Sequence, residues 1–359
     1  MKRVLLFLTI ALFVLSLCSC GASNRVKPLP SVQDGKDVTD RITSKLMKDG
    51  FCQLGPGDFY VSGIDMPDDS CLIGCGPATK LILIGTDATE GYAISMGSRC
   101  TIKDMSICGT EENTLSTIIP NTYFQRHGIV WQGDANDSAT NIPTKGTISG
   151  CYIYNFSGGG ITCDNTGYSI SSGINVSDCY IWSCYAGINV DFWSEFSKWN
   201  NISATNCHYG AINNGGNQVF TNCNFSGNTV GMLIDNSKGQ SKNNSHGSIS
   251  NCIFDHSDGN TGVGIKLMGV SNGELFSNCQ LFFSSVEIDN CKGISMSNFD
   301  FGYDTSKLHS GEIIVKNHSF VIFDKFLCRT TPQISVDNTS TAIMTDCFTW
   351  EGEPITILP

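Results

Sequence analysis

Ile148-Ser-Gly-Cys151-Tyr-Ile is the first copy of a motif that decides the fold. The chain contains five clear copies of this motif in all. The other four are Val176-Ser-Asp-Cys179-Tyr-Ile, Phe220-Thr-Asn-Cys223-Asn-Phe, Ile249-Ser-Asn-Cys252-Ile-Phe and Phe276-Ser-Asn-Cys279-Gln-Leu. Apolar and polar residues alternate within each copy, which is typical of a strand with one buried face. Phe299 takes the cysteine position in a later copy, Cys347 lies in a copy near the end, and Cys207 marks a stretched copy.

A second motif trails the first and ends in aspartate, usually followed by asparagine. Its copies are Ile161-Thr-Cys-Asp164-Asn, Ile188-Asn-Val-Asp191, Met232-Leu-Ile-Asp235-Asn, Val286-Glu-Ile-Asp289-Asn and Ile334-Ser-Val-Asp337-Asn. Such a pattern predicts a strand followed by a turn. Each repeat therefore contains at least two strands, with no helical segment between them.

The spacing of the motifs indicates a solenoid. The cysteines at 151, 179, 207, 223 and 252 are separated by about 25 residues on average. A strand-only repeat rich in Gly, Asn and Ser favours a parallel β-helix over a helical or leucine-rich repeat. Equivalent residues of successive turns would then stack about 4.8 Å apart. The cysteines would form an inward ladder, and the Asp-Asn pairs would form a ladder at a corner.

Composition narrows the choice of partners. The chain has 359 residues, of which 15% are charged, and a net charge of −11. An acidic protein with no basic run is not suited to nucleic acid or to electrostatic binding of anionic lipid.

The amino terminus is predicted to be a targeting segment. Lys2 and Arg3 precede an apolar run from Val4 to Leu17, and Ser19-Cys20 resembles a bacterial lipobox. We expect residues 1–19 to be a lipoprotein signal peptide, Cys20 to be lipidated, 20–35 to be a tether and 36–359 to be the β-helix domain. The protein would then be anchored in a bacterial cell envelope. An ordinary secretory signal is the alternative.

The other sixteen cysteines favour free thiols that fill the core, because one cysteine per turn points inward. The stacking distance also permits disulfides, and this alternative stays open. A metal site is disfavoured, since Cys71 and Cys75 form a lone pair without histidine partners.

One helix is predicted after the signal, from Asp37 to Gly50. Val38, Ile42 and Leu46 fall on one stripe, and Gly50 ends the segment. A short amphipathic helix of this kind would cover the first turn of the solenoid.

The segment after this helix resembles the pectate-lyase-like superfamily of right-handed parallel β-helices. The resemblance rests on Leu54-Gly-Pro-Gly-Asp-Phe-Tyr-Val-Ser62 and Leu72-Ile-Gly-Cys-Gly76, and it extends over roughly residues 36 to 350. Later segments, Ala211-Ile-Asn-Asn-Gly-Gly-Asn217 and Asn243-Asn-Ser-His-Gly247, look like those of phage tailspike depolymerases and gut-bacterial envelope proteins.

This resemblance implies an all-β fold, a single-stranded right-handed parallel β-helix with a helical cap. It implies a polysaccharide or oligosaccharide partner, and in the phage branch a homotrimer. The superfamily contains lyases, hydrolases, epimerases and binding proteins, so it does not fix the chemistry. The catalytic motifs of its polygalacturonase branch are absent, and no catalytic residue can be transferred by motif.

The first candidate site is a cluster of acids and aromatics. Asp191, Trp193 and Glu195 would share one face if their strand continues, with Trp199 nearby. Two carboxyl groups beside an aromatic ring suit glycoside hydrolysis, in which one donates a proton and the other attacks or activates water. A loop with tryptophan packed on its neighbours is the structural alternative.

The second candidate combines His246 and Lys266 with Asp255 and His256. Lyase chemistry removes a proton beside a uronate carboxylate, and it needs a base and a positive group or calcium. His246 or Lys266 would be the base, and the two neighbours would bind substrate. The alternative is that His246 orders a turn and that Lys266 is solvated.

A third candidate site consists of Arg126, His127 and Trp131. Its arginine would bind the anionic group of a uronate or sulfate through two hydrogen bonds. Asp235 is also a substrate-binding candidate, as one of the column that contains Asp164, Asp191, Asp289 and Asp337. We expect most members of this column to cap turns through their side chains, and calcium bound among some of them is a candidate cofactor.

The leading functional hypothesis is therefore a polysaccharide-degrading envelope lipoprotein that acts by lyase or hydrolase chemistry. A non-catalytic glycan-binding or structural protein of the cell surface is the rival hypothesis, and it would use the same strand face as a ladder for sugar rings.

Overall fold

The computed structural model describes residues 27–32, 35–85, 91–109, 126–132, 145–164, 171–190, 194–237, 245–255, 262–302, 311–329, 332–355 and 357. Within these residues one helix is followed by 32 short strands, and the strands of each sheet pair in parallel. The predicted parallel β-helix is confirmed. The described helix is not long and apolar enough to cross a membrane.

Helix α1 (Thr39–Asp49) covers the first turn of the solenoid. Its buried residues are Ile42 and Leu46, beside the buried Val38, as the stripe predicted. The Asp37 carboxylate accepts a hydrogen bond from the Thr39 N–H, and Gly50 ends the helix in the left-handed conformation (φ 64°). Part of the predicted tether is fixed to this turn, because Leu29 forms a parallel bridge to Leu54.

The first sheet contains the strands of the cysteine motif, just before each cysteine. Its strands are β1 (Phe51–Gln53), the first part of β4 (Cys71–Leu83), the first part of β6 (Thr101–Cys108), β8 (Thr147–Ser149), β11 (Asn175–Ser177), β14 (Lys198–Asn200), β17 (Gly216–Thr221), β19 (His246–Ser250), β22 (Glu274–Ser277), β25 (Ile294–Ser297), β28 (Phe320–Asp324) and β31 (Thr341–Thr345).

The second sheet begins directly after each cysteine. Its strands are β2 (Gly57–Val61), the last parts of β4 and β6, the first parts of β9 (Tyr152–Asp164) and β12 (Tyr180–Val190), β15 (Ser203–Thr205), β20 (Ile253–Asp255), β23 (Gln280–Phe282), β26 (Asp300–Gly302), β29 (Leu327–Cys328) and β32 (Phe348–Thr349).

The third sheet contains the strands of the Asp-Asn motif. Its strands are β3 (Ile64–Met66), β5 (Gly91–Met96), β7 (Arg126–Gln132), the last parts of β9 and β12, β16 (Tyr209–Asn213), β18 (Val230–Asp235), β21 (Val263–Met268), β24 (Ser285–Asp289), β27 (Glu312–Lys316) and β30 (Gln333–Val336). Two short strands, β10 (Ser171–Ser172) and β13 (Ser194–Glu195), lie at the corner between the third and first sheets, beside Gly216.

The corner between the first and second sheets explains the asparagine in the cysteine motif. The residue before each cysteine has a positive φ, as in Asn222 (56°), Asn251 (54°) and Asn278 (54°). Asparagine tolerates this left-handed conformation better than other non-glycine residues. Its amide also bonds along the stack, as where Asn298 Nδ2 donates to Asn278 Oδ1 (2.6 Å). The motif therefore specifies both the bend and its support.

The inward ladder is present, but one predicted member lies elsewhere. Cys151, Cys179, Cys223, Cys252 and Cys279 are buried directly after this corner, followed in the same column by Phe299, Phe326 and Cys347. The sixteen described cysteines are thiols in the structure.

Cys207 is the member that was wrongly placed. Its expected position in the column is occupied by Ile202, which follows the left-handed Asn201. Cys207 lies at the next corner, beside Cys184.

Aromatic side chains extend the same core toward the carboxyl end. Phe254 is fully buried and stacks on Phe225 with ring centroids 5.6 Å apart. We expect Phe254→Ala to lower the free energy of unfolding by roughly 3–5 kcal/mol, because it leaves a cavity in a close-packed stack. Chemical denaturation monitored by circular dichroism measures this loss.

The matched control is Leu275→Ala on the neighbouring turn, where the side chain is 55% exposed. This variant should change the stability by less than about 0.5 kcal/mol. Equal losses in the two variants would contradict the assignment of the inward and outward faces.

Candidate functional site

Four aromatic side chains form a row on the outer face of the second sheet. Tyr152 and Tyr154 in β9 lie beside Tyr180 and Trp182 in β12. Tyr154 and Trp182 stack with ring centroids 4.2 Å apart, and Tyr180 leans on Trp182 at 5.0 Å. Tyr152 and Tyr180 are 38% and 41% exposed. Because each ring has an apolar face and a polar edge, this aromatic row is suited to stacking against sugar rings.

Lys80 adds a positive charge to the aromatic row. It lies on β4, two turns before Tyr152, and its ammonium reaches to 5.9 Å from the centroid of the Tyr154 ring. This distance is within the range of a cation–π interaction. An anionic group of a ligand on the row would therefore meet a cation there.

A cluster of two tyrosines and a histidine begins on the same strand as Trp182. Tyr185 follows Trp182 by three residues and lies at the bulge where β12 passes from the second to the third sheet. Its ring is 5.4 Å from that of His208 and 5.5 Å from that of Tyr209, and the last two are 4.5 Å apart. The three side chains are partly exposed. We call them the acid–base cluster.

Burial sets the protonation states of this cluster. It lowers the pKa of His208 below the ordinary 6.5, so the imidazole is neutral at pH 7. It raises the pKa of both Tyr185 and Tyr209 above the ordinary 10.0, and the charge of Asp235 adds to the shift of Tyr209. A neutral imidazole can accept a proton, and a protonated phenol can donate one.

Two residues predicted in separate candidate sites meet in the structure. Glu195 and His246 lie two turns apart in one column, with Gly216 between them. A Cβ atom at Gly216 would overlap Glu195 Oε1 and would lie 2.8 Å from His246 Cε1. The glycine therefore leaves the space into which the carboxylate and the imidazole converge.

The carboxylate of this pair is enclosed. Glu195 is 5% exposed, and its Oε2 accepts a hydrogen bond of 2.6 Å from Asn217 Nδ2. One turn beyond His246, Glu274 is fully buried, and its carboxyl group accepts a hydrogen bond from Ser245 (3.0 Å). Desolvation raises the pKa of Glu274 to about 8. Since Glu274 pairs with Gly247, it lies in the column next to that of Glu195 and His246.

Two tryptophans predicted to bind substrate are core residues instead. Trp199 is fully buried, stacks on Phe220 and donates from Nε1 to Gln218 Oε1 (2.9 Å). Trp131 is 1% exposed and packs against Gly146. Both indoles point into the coil, so neither can serve as a platform for sugar.

Arg126 and His127 are bound to their own solenoid rather than presented to a ligand. Arg126 Nη2 donates to the Leu83 carbonyl at 3.2 Å. His127 Nδ1 accepts a hydrogen bond from the Gly159 N–H (3.0 Å) and lies 2.9 Å from the Thr162 hydroxyl. Because the Gly159 N–H can only donate, the imidazole is neutral, with its proton on Nε2.

Lys266 and Asp235 lie on the third sheet, away from His246 on the first. Lys266 forms an ion pair of 2.8 Å with Glu287 on the next turn, and Asp235 caps its own turn by accepting from the Ser237 N–H (3.0 Å). Asp255 lies at the end of β20 on the second sheet, with one carboxylate oxygen buried. The structure therefore does not bring Lys266 and His246 together. Cys20, Asp191, Trp193 and His256 lie outside the described residues.

The predicted column of acids is interrupted by other side chains. Asp235, Met268, Asp289, Lys316 and Asp337 follow one another along the third sheet. Lys316 lies 3.5 Å from the Asp289 carboxylate, which also accepts from Asn317. Hydrogen bonds led by that from the Asn317 N–H lower the pKa of Asp337. No group of three or more metal-binding side chains suited to calcium occurs in the described part of the chain.

The sequence does contain a signal for the outward tyrosines, which were not among the predicted site residues. Tyr152 and Tyr180 stand directly after the inward Cys151 and Cys179, so strict alternation places them outside. Tyr185 follows Cys184 in the same manner. The contact of Tyr185 with residues of the next turn depends on loop lengths that no periodicity gives.

The chain matches no protein-family model and no curated protein. Several solved structures share its architecture. The A-module of a mannuronan C-5 epimerase from Azotobacter vinelandii is 14% identical, with a TM-score of 0.53 over 91% of this chain and 96% of that one. The enzymatically active domain of tailspike protein 2 from bacteriophage CBA120 is 15% identical, with a TM-score of 0.56 over 90% and 47%.

The catalytic unit of an α-1,3-glucanase from Streptomyces thermodiastaticus is 11% identical, with a TM-score of 0.55 over 93% of this chain and 71% of that one. At these identities the likeness establishes the fold alone. The class of protein is therefore a right-handed parallel β-helix, as the sequence predicted.

The partly buried His127 predicts a pH dependence of stability. Desolvation lowers its pKa from 6.5 to about 4. The stability that depends on the neutral ring is complete above pH 6.5 and is lost as the pH falls toward 4, by roughly 3 kcal/mol in total. Urea unfolding at about pH 7.5 and about pH 4.5 measures this loss.

Comparison with His127→Gln isolates the contribution of His127, because other groups titrate equally in both proteins. The variant should lose less stability on acidification than the wild type. His318→Gln, at an exposed histidine, should lose as much as the wild type. An unchanged acid slope in His127→Gln would show that this imidazole does not drive the effect.

Proposed function

We propose that the protein binds an acidic polysaccharide along the aromatic row and cleaves it by proton abstraction at the acid–base cluster. The observation that supports this proposal is that one strand, β12, carries members of both groups. Trp182 of the aromatic row is followed three residues later by Tyr185, which packs against the neutral His208 and against Tyr209.

The chemistry that fits these groups is β-elimination from a uronate. His208 takes the proton from the carbon next to the sugar carboxylate. A carbon–carbon double bond forms as the glycosidic C–O bond breaks, and a tyrosine hydroxyl gives its proton to the leaving oxygen. The step consumes no water or co-reactant.

Hydrolysis would need two carboxyl groups on either side of the scissile bond. Glu195 is a weaker candidate for that role, because its carboxylate is enclosed and is hydrogen-bonded to Asn217. The partly exposed acid–base cluster is easier for a polymer to reach. Among the structural neighbours, one is named a mannuronan epimerase and another a capsular polysaccharide depolymerase, which supports a glycan as substrate. The predicted lipidation at Cys20 would place this activity in a bacterial envelope.

Binding along the aromatic row is tested with Trp182→Ala. We expect at least a tenfold weaker affinity for mannuronan or polygalacturonate, because the variant removes the ring that links Tyr154 and Tyr180. Affinity gel electrophoresis with each polymer measures the change.

Phe196→Ala is the matched control, since Phe196 is an exposed aromatic residue (61%) at another corner. It should bind as the wild type does. Equal affinity of the wild type and Trp182→Ala for every polymer bound would remove the aromatic row from the binding site.

The chemical step is tested with His208→Gln. The variant should retain binding and lose about 100-fold or more in kcat, because a positioned base contributes 10²–10⁴-fold. The readout is the absorbance of unsaturated uronate, with new reducing ends measured in parallel. Reducing ends without that absorbance would identify a hydrolase instead, and binding without either signal would identify a non-catalytic binding protein.

The pH profile separates a base from a merely structural histidine. The base form of His208 requires a pH above its pKa, which lies below 6.5, and the tyrosines keep their protons beyond pH 10.0. The wild type should therefore show constant kcat/KM between these limits, with an acid limb below 6.5. Residual activity of His208→Gln should lack that acid limb, whereas His318→Gln should keep it.

A further inference from the structure

The outer face of the second sheet carries another aromatic group near its carboxyl end. Phe282, Gly302, Arg329 and Trp350 follow one another along one column of successive turns. The guanidinium of Arg329 lies 5.1 Å from the centroid of the Phe282 ring and 4.7 Å from that of Trp350. Both distances are within the range of cation–π contacts.

Gly302 makes this arrangement sterically accessible. A Cβ atom at that position would overlap the ring of Phe282, so only glycine lets the phenyl group lie across the turn. Arg329 then reaches Phe282 over the glycine while it also contacts Trp350 on the following turn. The guanidinium is thereby held between two rings.

The charge of Arg329 is not neutralised by the described residues. Its side chain is exposed, and no carboxylate in the described part of the chain lies within ion-pair distance of it. Arg99 provides the contrast, because its Nε and Nη2 donate to the two oxygens of the Asp69 carboxylate, at 2.6 and 2.7 Å. A planar guanidinium fixed by rings on its faces keeps its N–H edge for a bidentate acceptor.

Trp350 supplies the surface on which a sugar could stack beside that edge. Its indole is 54% exposed. The column is the one that contains Tyr154 and Trp182 at the other end of the sheet. Six turns separate Trp182 from Arg329, a distance of ~29 Å at the usual strand spacing. Only a polymer could occupy both places together.

We infer that Phe282, Arg329 and Trp350 form a second glycan subsite, which binds the carboxylate or sulfate of an anionic polysaccharide that also occupies the aromatic row. This inference rests on the proposed function, because it assumes that the protein binds a glycan. The negative net charge of the chain makes a local cation necessary for such a ligand. The subsite therefore sets the preference for long, acidic chains.

The test uses Arg329→Gln and two matched pairs of polymers, polygalacturonate with its methyl-esterified form and dextran sulfate with dextran. Arg329→Gln should bind long polygalacturonate or dextran sulfate about 10- to 100-fold more weakly than the wild type, because charge-assisted hydrogen bonds are lost. Its binding of the two neutral forms should not change. A loss with one anionic polymer alone assigns the subsite to carboxylate or to sulfate.

Two further variants make the result specific. Lys292→Gln removes the same charge from an exposed position at another corner and should bind as the wild type does. Trp350→Ala should weaken binding of long polygalacturonate and leave binding of an oligomer too short to span ~29 Å unchanged.

Wild-type affinity of Arg329→Gln for both anionic polymers would overturn the subsite. If Trp182→Ala is impaired in the same assay, the proposed function survives that result. Failure of the wild type to bind any of the polymers would overturn both.

Discussion

The structure depends on parallel hydrogen bonding between successive turns, which stacks equivalent residues about 4.8 Å apart. Each residue of the repeat is therefore in contact with the equivalent residues of the turns before and after it, and these are often of the same type. Asparagine satisfies this constraint at a corner, because it accepts the left-handed backbone and its amide bonds to the next asparagine, as Asn298 does with Asn278. Cysteine satisfies it inside, because a small thiol leaves room for another thiol. A charged ladder would not, and the third sheet accordingly alternates Asp289 with Lys316.

The same constraint separates the inner face from the outer face over the whole length of the coil. Since successive residues of a strand point to opposite sides, each turn that buries an isoleucine such as Ile181 exposes its two neighbours. Where those neighbours are aromatic in adjacent turns, stacking along the solenoid aligns their rings. The rings of Tyr154 and Trp182 stack nearly parallel, at an angle of 11°, for this reason. The backbone therefore aligns a row of aromatic side chains along the solenoid without any loop, and a row of this kind suits a polymer better than a small ligand.

The sequence was sufficient for the architecture, because the alternation and the Asn-Cys corner recur in turn after turn. It failed where one turn departs from the pattern. Cys207 was placed in the ladder because Ile202, the true member, is not a cysteine. Trp199 does share a face with Glu195, as the alternation predicts, but this face points into the coil, whereas Phe196 and Lys198 point outward. The enclosure of Glu195 and its approach to His246 depend on Gly216, which lies one turn from each of them, and no periodicity of the sequence aligns these three residues.

The distribution of cations bears on what the outer faces do. Lys266, Lys316 and Arg99 each lie beside a carboxylate of a neighbouring strand or turn, so their charges serve the solenoid itself. Lys80 lies against the ring of Tyr154, and Arg329 lies against the rings of Phe282 and Trp350. An aromatic ring orients a cation and leaves its charge in place. Cations therefore occur at both aromatic groups of the second sheet. On a chain with a net charge of −11, such cations would attract the acidic polymer of the proposed function.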